Sequence, residues 1–418
     1  MSHPPPEGAP PCRFCAAPLR HTFVDLGLQP LANSNLTAEQ LAAGTERRHP
    51  LHARVCDACF LVQVDDVVPA EAIFDQDYAY FSSYSTSWVA HAKRYAEAMA
   101  ERWDLGPESL VVEVASNDGY LLQHFAAMDI PVLGIEPTAN TAEAARARGL
   151  PTEISFFNEE TAVALAARGV RADLMAANNV LAHVPDIAGF VAGFRHVLKA
   201  EGVLTFEFPH LLNLIERVQF DTIYHEHFSY LSLLAVEQVL RANGLRAFDV
   251  ELLPTHGGSL RLFCGHLGSG RQETEALAGL RDRETAAGLG AIETYDGFTP
   301  RVEAVRDSFR AFLGQAKAEG RRVAAYGAAA KGNTFLNYCG TTSADLVAAF
   351  DANPAKQGRF LPGSHVPILP PEAAREVRPD YLLILPWNLK EEIMGQLAHI
   401  ADWGGRFVVA SPRTEVVG

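Results

Sequence analysis

LVVEVASNDGYLLQHF at 110–125, followed by PVLGIEP at 131–137, decides the fold. LVVEVAS is apolar on both faces, as a strand buried in a sheet must be. GYLLQHFAAM continues as a helix, PVLGIEP as a second strand, and TANTAEAARARGL as a second helix that stops at Gly149. ADLMAANNVLAHV (172–184) and GVLTFEFP (202–209) are further strand candidates. This βαβα order predicts a parallel sheet covered by helices. SLLAVEQVLRANGL (232–245) reads as a helix stopped by Asn243-Gly244, and LRAFDVELLP and GGSLRLFCGHL as two consecutive strands.

The turn after the first strand carries chemistry. Glu113, Ser116, Asn117 and Gly119 lie on it, and Glu136 closes the next strand, 23 positions after Glu113. Such a turn lets a ligand approach the backbone at a sheet switch point. An acid at the second strand end accepts both ribose hydroxyls. The glycine cradle for a pyrophosphate, GxGxxG, is missing. A cofactor with a ribose and no phosphate fits, and S-adenosylmethionine is that cofactor. The bland alternative is a βα turn that uses Asn and Gly for backbone reasons alone. Phe156 and Phe157, after the strand candidate TEISF, flank the adenine or fill the core.

Toward the C-terminus, residues 271–320 read as a long polar helical stretch. A second α/β unit then opens with four strand runs, in VAAYGAAAKGNTFLNY, LVAAFDANPAKQGRFLPGSHVPIL, YLLILPWN and FVVAS. Toward the N-terminus, Trp88, Ala92, Tyr95 and Met99 recur at helical spacing after an aromatic cluster that includes Tyr78 and Tyr84. Cys12-x-x-Cys15 and Cys56-x-x-Cys59 predict a closed tetrahedral four-thiolate zinc site, structural because no position is left open. A redox pair or simply buried thiols are the alternatives. His21, His49 and His52 are rival ligands, ranked below four sulfurs. Cys264 and Cys339 are expected to be small core residues.

The 418 residues carry 35 Lys and Arg against 50 Asp and Glu, a formal charge of −15. With 48% apolar and 20% charged residues, global disorder and collagen-like structure are excluded. An acidic chain without long basic runs is a poor partner for duplex DNA or an anionic membrane. A small positive pocket for one anionic metabolite remains open. No stretch approaches the roughly 20 apolar residues of a membrane helix, and the Pro-rich start lacks the pattern of a signal peptide. A cytoplasmic protein is expected.

FDTIYHEHFSY at 220–230 is the densest polar-aromatic stretch. Tyr224, His225, Glu226 and His227 together offer a general base, an orienting carboxylate and a phenol donor. The stretch follows the strand GVLTFEFP and its helix, outside the carboxyl end of the sheet. Asn179 and His183 follow another strand and should face the same crevice. A capped loop whose histidines satisfy backbone groups is the alternative. A metal site from His225, Glu226 and His227 is disfavoured, because neighbours in an extended strand point to opposite faces.

With two CxxC pairs, EVASNDGYLL, FDTIYHEHFSYLS, YGAAAKGNTFLNY and DANPAKQGRFLPGSHVPI, nearly the whole chain resembles one family. It is the zinc-containing, S-adenosylmethionine-dependent sugar C-methyltransferases, including C-3-methyltransferases of nucleotide-linked 4-keto-6-deoxy sugars. The resemblance implies an α/β protein of three units. Residues 1–68 form a small zinc-binding domain. Residues 69–270 form a class I methyltransferase Rossmann-like domain. Residues 271–418 supply linking helices and a second Rossmann-like domain that helps enclose the nucleotide. It implies that His227 removes the proton beside the ketone, with Tyr224 and Glu226 assisting. Tyr78, Asn179 and His183 match positions lining the sugar pocket. Lys331, Asn333 and Lys356 are assigned to phosphate or base contacts from charge and location. A monomer is expected. Methylation at C-5, O-methylation, a non-catalytic cofactor and zinc module, and a nicotinamide oxidoreductase are the rival readings.

Overall fold

The computed structural model describes residues 8–65, 68 and 81–417. Tyr78 lies outside them. Three sheets organise the chain. The first joins β1 (His21–Pro30), β2 (Arg48–Val55) and β3 (Val62–Val64) in antiparallel order, with the short helix α1 (Ala38–Ala43) between β1 and β2. Helix α2 (Thr86–Arg102) leads into the central sheet, capped by the Ser85 side chain and burying Ala92, Tyr95 and Met99.

The central sheet begins with β4 (Val111–Val114), α3 (Leu122–Ala126), β5 (Val132–Glu136), α4 (Ala139–Ala147) and β6 (Thr152–Ile154). It continues with α5 (Glu159–Ala167), β7 (Ala172–Asn178), α6 (Ile187–Val197) and β8 (Leu198–Pro209). These five strands are parallel, as the alternation of strand and helix requires. Helix α7 (Leu211–Arg217) then leads into the loop that carries β9 (Ser229–Tyr230). Helix α8 (Leu233–Ala242) ends where Gly244 takes a φ of 75°. After it, β10 (Leu245–Leu253) and β11 (Ser259–His266) form a hairpin whose second strand runs antiparallel to β8. The sheet is therefore mixed rather than wholly parallel. A short loop, rather than a helical crossover, joins β10 to β11, and only antiparallel neighbours can be joined that way. The order β10-β11-β8-β7-β4-β5-β6 reverses beside β4, and ligands bind outside the strand ends at such a switch point.

The stretch expected as one polar helix is three, α9 (Glu275–Ala286), α10 (Ile292–Asp296) and α11 (Phe298–Ala318). Along α11 a stripe of Phe298, Val302, Val305 and Phe309 is buried despite the polar composition. The last sheet holds six strands, two more than the four expected. They are β12 (Val323–Tyr326), β13 (Ala349–Phe350), β14 (Ile368–Leu369), β15 (Tyr381–Ile384), β16 (Arg406–Val409) and the antiparallel β17 (Glu415–Val417). The helix α12 (Ala330–Tyr338) follows β12.

Two packings matter for function. Phe23 of β1 stacks on Phe298 of α11 at 4.4 Å, inside one apolar core that runs from Leu51 of β2 to Leu383 of β15. The first and last units thus share a core. In addition, β9 pairs with β3, so the loop around Tyr224–His227 extends the first sheet although the central unit supplies it.

Candidate active site and zinc centre

The two cysteine knuckles share one backbone geometry. Cys12 N–H donates to Ala17 O and Cys56 N–H to Leu61 O, at 2.7 and 3.1 Å. Ala16 and Phe60, each just past a second cysteine, take left-handed φ values of 59° and 58°. A tight turn asks this of a residue that ordinarily avoids the region. The four sulfurs lie within 4.8 Å of one another, with Cys12–Cys59 at 3.6 Å and Cys15–Cys56 at 3.5 Å. Zinc–sulfur bonds of about 2.3 Å set tetrahedral sulfurs about 3.8 Å apart, so the cluster fits that ion. His21 turns instead to Asp57, and His52 to Thr22 and Asp65. Cys264 and Cys339 are buried in the core, as expected.

At the cofactor turn, the Glu136 carboxylate accepts the Asn117 N–H at 2.8 Å and the Thr138 N–H at 2.9 Å. Both oxygens are thereby oriented; Oε1 also accepts the Thr138 hydroxyl, while Oε2 keeps a lone pair for a further donor. Asn117 takes a φ of 49° and its side chain accepts the Ser82 N–H. Gly119 has a φ of 80°, and a Cβ there would lie 2.3 Å from a Leu150 methyl, so only glycine fits. Among the described residues, Ser116 Oγ, Glu113 Oε2, Asp118 Oδ1 and both amide atoms of Asn179 are buried without a hydrogen-bond partner. Unpaired buried polar atoms are costly, and a polar ligand bound at these strand ends would satisfy them. Glu113 is fully buried, and burial pushes its carboxyl well above the usual range. Phe157 packs on Phe190 and Phe194 in the core, whereas Phe156 is 45% exposed beyond β6.

The loop after α7 brings the imidazoles together. His227 Nδ1 lies 3.0 Å from Thr222 O, and His183 Nδ1 lies 2.9 Å from Glu226 O. A carbonyl only accepts, so Nδ1 carries the proton in both rings and Nε2 keeps its lone pair. The Tyr224 hydroxyl sits 2.8 Å from His227 Nε2 and donates to it. The two histidine rings meet edge to face at 4.6 Å. Burial holds His227 well below the imidazole range, and His183, Lys331 and His256 oppose any further positive charge there. Burial likewise brings His183 down to about 4. Both are neutral bases at neutral pH. His225 does not join them. Its Nε2 lies 3.1 Å from Pro50 O in β2, and its ring faces His49. Burial pushes the Glu226 carboxyl up to about 7, against the pull of the Asn33 amide.

Lys331, at the start of α12, reaches this loop. Its ammonium lies 4.9 Å from the centre of the Trp387 ring, while Trp387 Nε1 donates to Asp221 at 2.6 Å. Burial pushes Asp221 up to about 6, and the Lys331 charge resists that rise. Asn333 and Lys356 are engaged elsewhere. Asn333 Nδ2 donates to Ala32 O at 2.7 Å, and Lys356 Nζ to Ala328 O at 2.9 Å.

Sequence reasoning missed Asn33, Asp221, His256 and Trp387. Asp221 stood inside the quoted stretch. His256 carried one local signal, a Gly257-Gly258 pair beside it, and takes a φ of 52° with its ring against Trp88 at 5.4 Å. Asn33 and Trp387 carried none.

A four-thiolate knuckle domain, a central sheet of class I order and a buried carboxylate at the end of its second strand belong to an S-adenosylmethionine-dependent methyltransferase with a zinc-binding domain. Three family models match in succession. They are a zinc binding domain at 12–74, a methyltransferase domain at 88–250 and a C-methyltransferase C-terminal domain at 254–412. The chain is 35% identical to "C-methyltransferase NovU" of Streptomyces niveus over 406 residues, 97% of this chain and 96% of that protein. It therefore belongs to the C-methyltransferase family. It is also 24% identical over 158 residues to a ubiquinone biosynthesis O-methyltransferase of Rhodopseudomonas palustris (strain BisA53), covering 32% of this chain and 62% of that protein. Among solved structures, the magnesium protoporphyrin IX methyltransferase of Synechocystis PCC 6803 aligns with 46% of this chain and 91% of its own. That alignment has 14% identity and a TM-score of 0.35.

Proposed function

We propose that the protein methylates C-3 of a nucleotide-linked 4-keto-6-deoxy sugar through an enolate. The observation that carries the reading is the His227 Nε2 lone pair, buried, neutral and 2.8 Å from the Tyr224 hydroxyl. A proton beside a carbonyl leaves only to a base that is unprotonated at the working pH. His227 takes that proton, and Thr222 O holds the ring by its other nitrogen. The Tyr224 phenol, released from Nε2, donates to the developing oxyanion. Glu226 assists by hydrogen bonding to the sugar or the base. His183, Asn179 and Tyr78 line the sugar, and Lys331 supplies a cation for the anionic nucleotide. When bound, S-adenosylmethionine supplies the activated methyl that the enolate carbon accepts. Glu113, Ser116, Asn117, Gly119, Glu136 and Phe156 hold that cofactor. The carbon specificity is supported by the relative named a C-methyltransferase.

In this reading the working units are residues 1–68, 69–270 and 271–418, acting as a monomer in the cytoplasm. No helix among the described residues is long and apolar enough to cross a membrane. The test is mass spectrometry after incubation with S-adenosylmethionine and a panel of nucleotide-linked 4-keto-6-deoxy sugars in heavy water. A methyl gain on a carbon of one sugar is expected, with deuterium uptake at C-3 when the cofactor is withheld. Neither change with any sugar, despite measured cofactor binding, sinks the proposal.

A further inference from the structure

Glu226 is buried, and Asn33 Nδ2 meets both of its carboxylate oxygens, at 2.7 and 2.8 Å. No other donor reaches that carboxylate among the described residues. The titratable rings around it point elsewhere. His225 turns to Pro50 O with His49 beside it, His227 bonds Thr222 O and Tyr224, and His183 takes the Glu226 backbone carbonyl. Asn33 belongs to the zinc-binding domain, just past the end of β1. Its segment is clamped by the last unit. Asn333 binds the carbonyl of Ala32, and Leu36 and Phe360 exchange two backbone hydrogen bonds at 2.9 Å. An exposed amide on a surface segment is thus held by two flanking anchors, with its donor aimed inward at one buried acid.

We propose that Asn33 is a positioning residue, which from outside the methyltransferase domain orients the Glu226 carboxylate and favours its ionised form. An N–H that meets both oxygens favours the carboxylate over the neutral acid, which offers one acceptor fewer. The first unit therefore contributes to the reaction as well as to folding. The relevance to turnover rests on the proposed reading of Glu226 as an assisting group.

The test compares the zinc-loaded protein with Asn33→Ala, Asn33→Asp and Asn33→Gln. Isotope-edited infrared difference spectra against Glu226→Gln follow the carboxyl band directly, and the pH profile of kcat is recorded alongside. Losing one charge-assisted hydrogen bond shifts a carboxyl by roughly one to two pH units. Asn33→Ala is expected to raise the Glu226 titration by about that much. Asn33→Asp raises it further, by adding a like charge, and Asn33→Gln restores it in part. The acid limb of kcat moves in parallel. Asn33 is exposed, so Asn33→Ala opens no core cavity, and unchanged zinc content and circular dichroism exclude misfolding. A carboxyl titration that stays put in both the Ala and Asp variants overturns the proposal. A titration that moves while the kcat profile does not upholds control by Asn33 and overturns the assisting role of Glu226.

Discussion

The βα turn after β4 and the histidine loop at 220–230 lie at the strand ends of one sheet, yet they are built in opposite ways. The turn is local. Glu113, Asn117, Gly119, Glu136 and Thr138 come from a single βαβ unit, and the hydrogen bonds that orient Glu136 stay inside it. The loop is held from three units. His183 comes from the central one, Pro50 and Asn33 from the first, and Lys331 from the last, while β9 completes the sheet of the first unit. A local site is prepared once its own unit folds. An assembled site exists only when all three units are docked, and its chemistry depends on residues far away in sequence.

The sharpest division between the two comes from His227→Ala. Loss of a general base costs about 10²–10⁴ in rate, so kcat is expected to fall by roughly a thousandfold. The affinity for S-adenosylmethionine, measured by calorimetry, should stay unchanged. A parallel loss of cofactor binding would merge the two regions into one site. Next in size is Glu136→Ala. Removing a charged acceptor from ribose hydroxyls costs about 1.5–3 kcal/mol, roughly a 10- to 100-fold rise in Kd. Deuterium exchange at the sugar carbon should persist in this variant. An unchanged Kd would remove Glu136 from the cofactor site.

His225→Ala is smaller again. It removes a bond to Pro50 O and no part of the His227 constellation. Stability should drop by about 1 kcal/mol, seen as a lower urea midpoint, with kcat within a fewfold of wild type. A loss as large as that of His227→Ala would reverse the assignment of the two histidines.

The same contrast explains what could be read without coordinates. Spacing betrays a local site, because a turn and the next strand end are tied by the length of one helix. Glu136 and Gly119 stood out for that reason, and each CxxC pair for its own two-residue spacing. The loop showed itself only as a dense composition. Nothing in YHEH says that its first histidine turns outward to β2 and its second inward to Tyr224. A tight turn, closed by the His227 N–H on the Tyr224 carbonyl, separates two rings that an extended segment would set on one face, and which side is inward is decided by the docking of the first sheet. Asn33 and Trp387 were invisible because each acts through a partner about 160 to 190 positions away. The mixed central sheet was legible once two consecutive strands lacked a helix between them.

The smallest effect is a slope in stability against pH, and two groups, Glu226 of the loop and His183 packed against it, contribute to it with opposite signs. His183 titrates near 4 in the folded chain, below the 6.5 of a free imidazole. Between those values the unfolded chain holds the extra proton, so this group's contribution is lost as the pH falls from 6.5 toward 4. Glu226 titrates near 7 when folded, above an ordinary 4.5. Between those values the folded chain holds the extra proton, so stability falls as the pH rises from 4.5 to 7. The two slopes oppose each other from 4.5 to 6.5, each reaching at most about 1.4 kcal/mol per pH unit. Removing one partner unmasks the other. With urea midpoints measured across that window, Glu226→Gln should make stability rise more steeply with pH than in the wild type. His183→Asn should make it rise less steeply or fall. If both variants parallel the wild type, neither group is buried in the charge state that the loop geometry requires, and the loop would be as open to water as an ordinary surface turn.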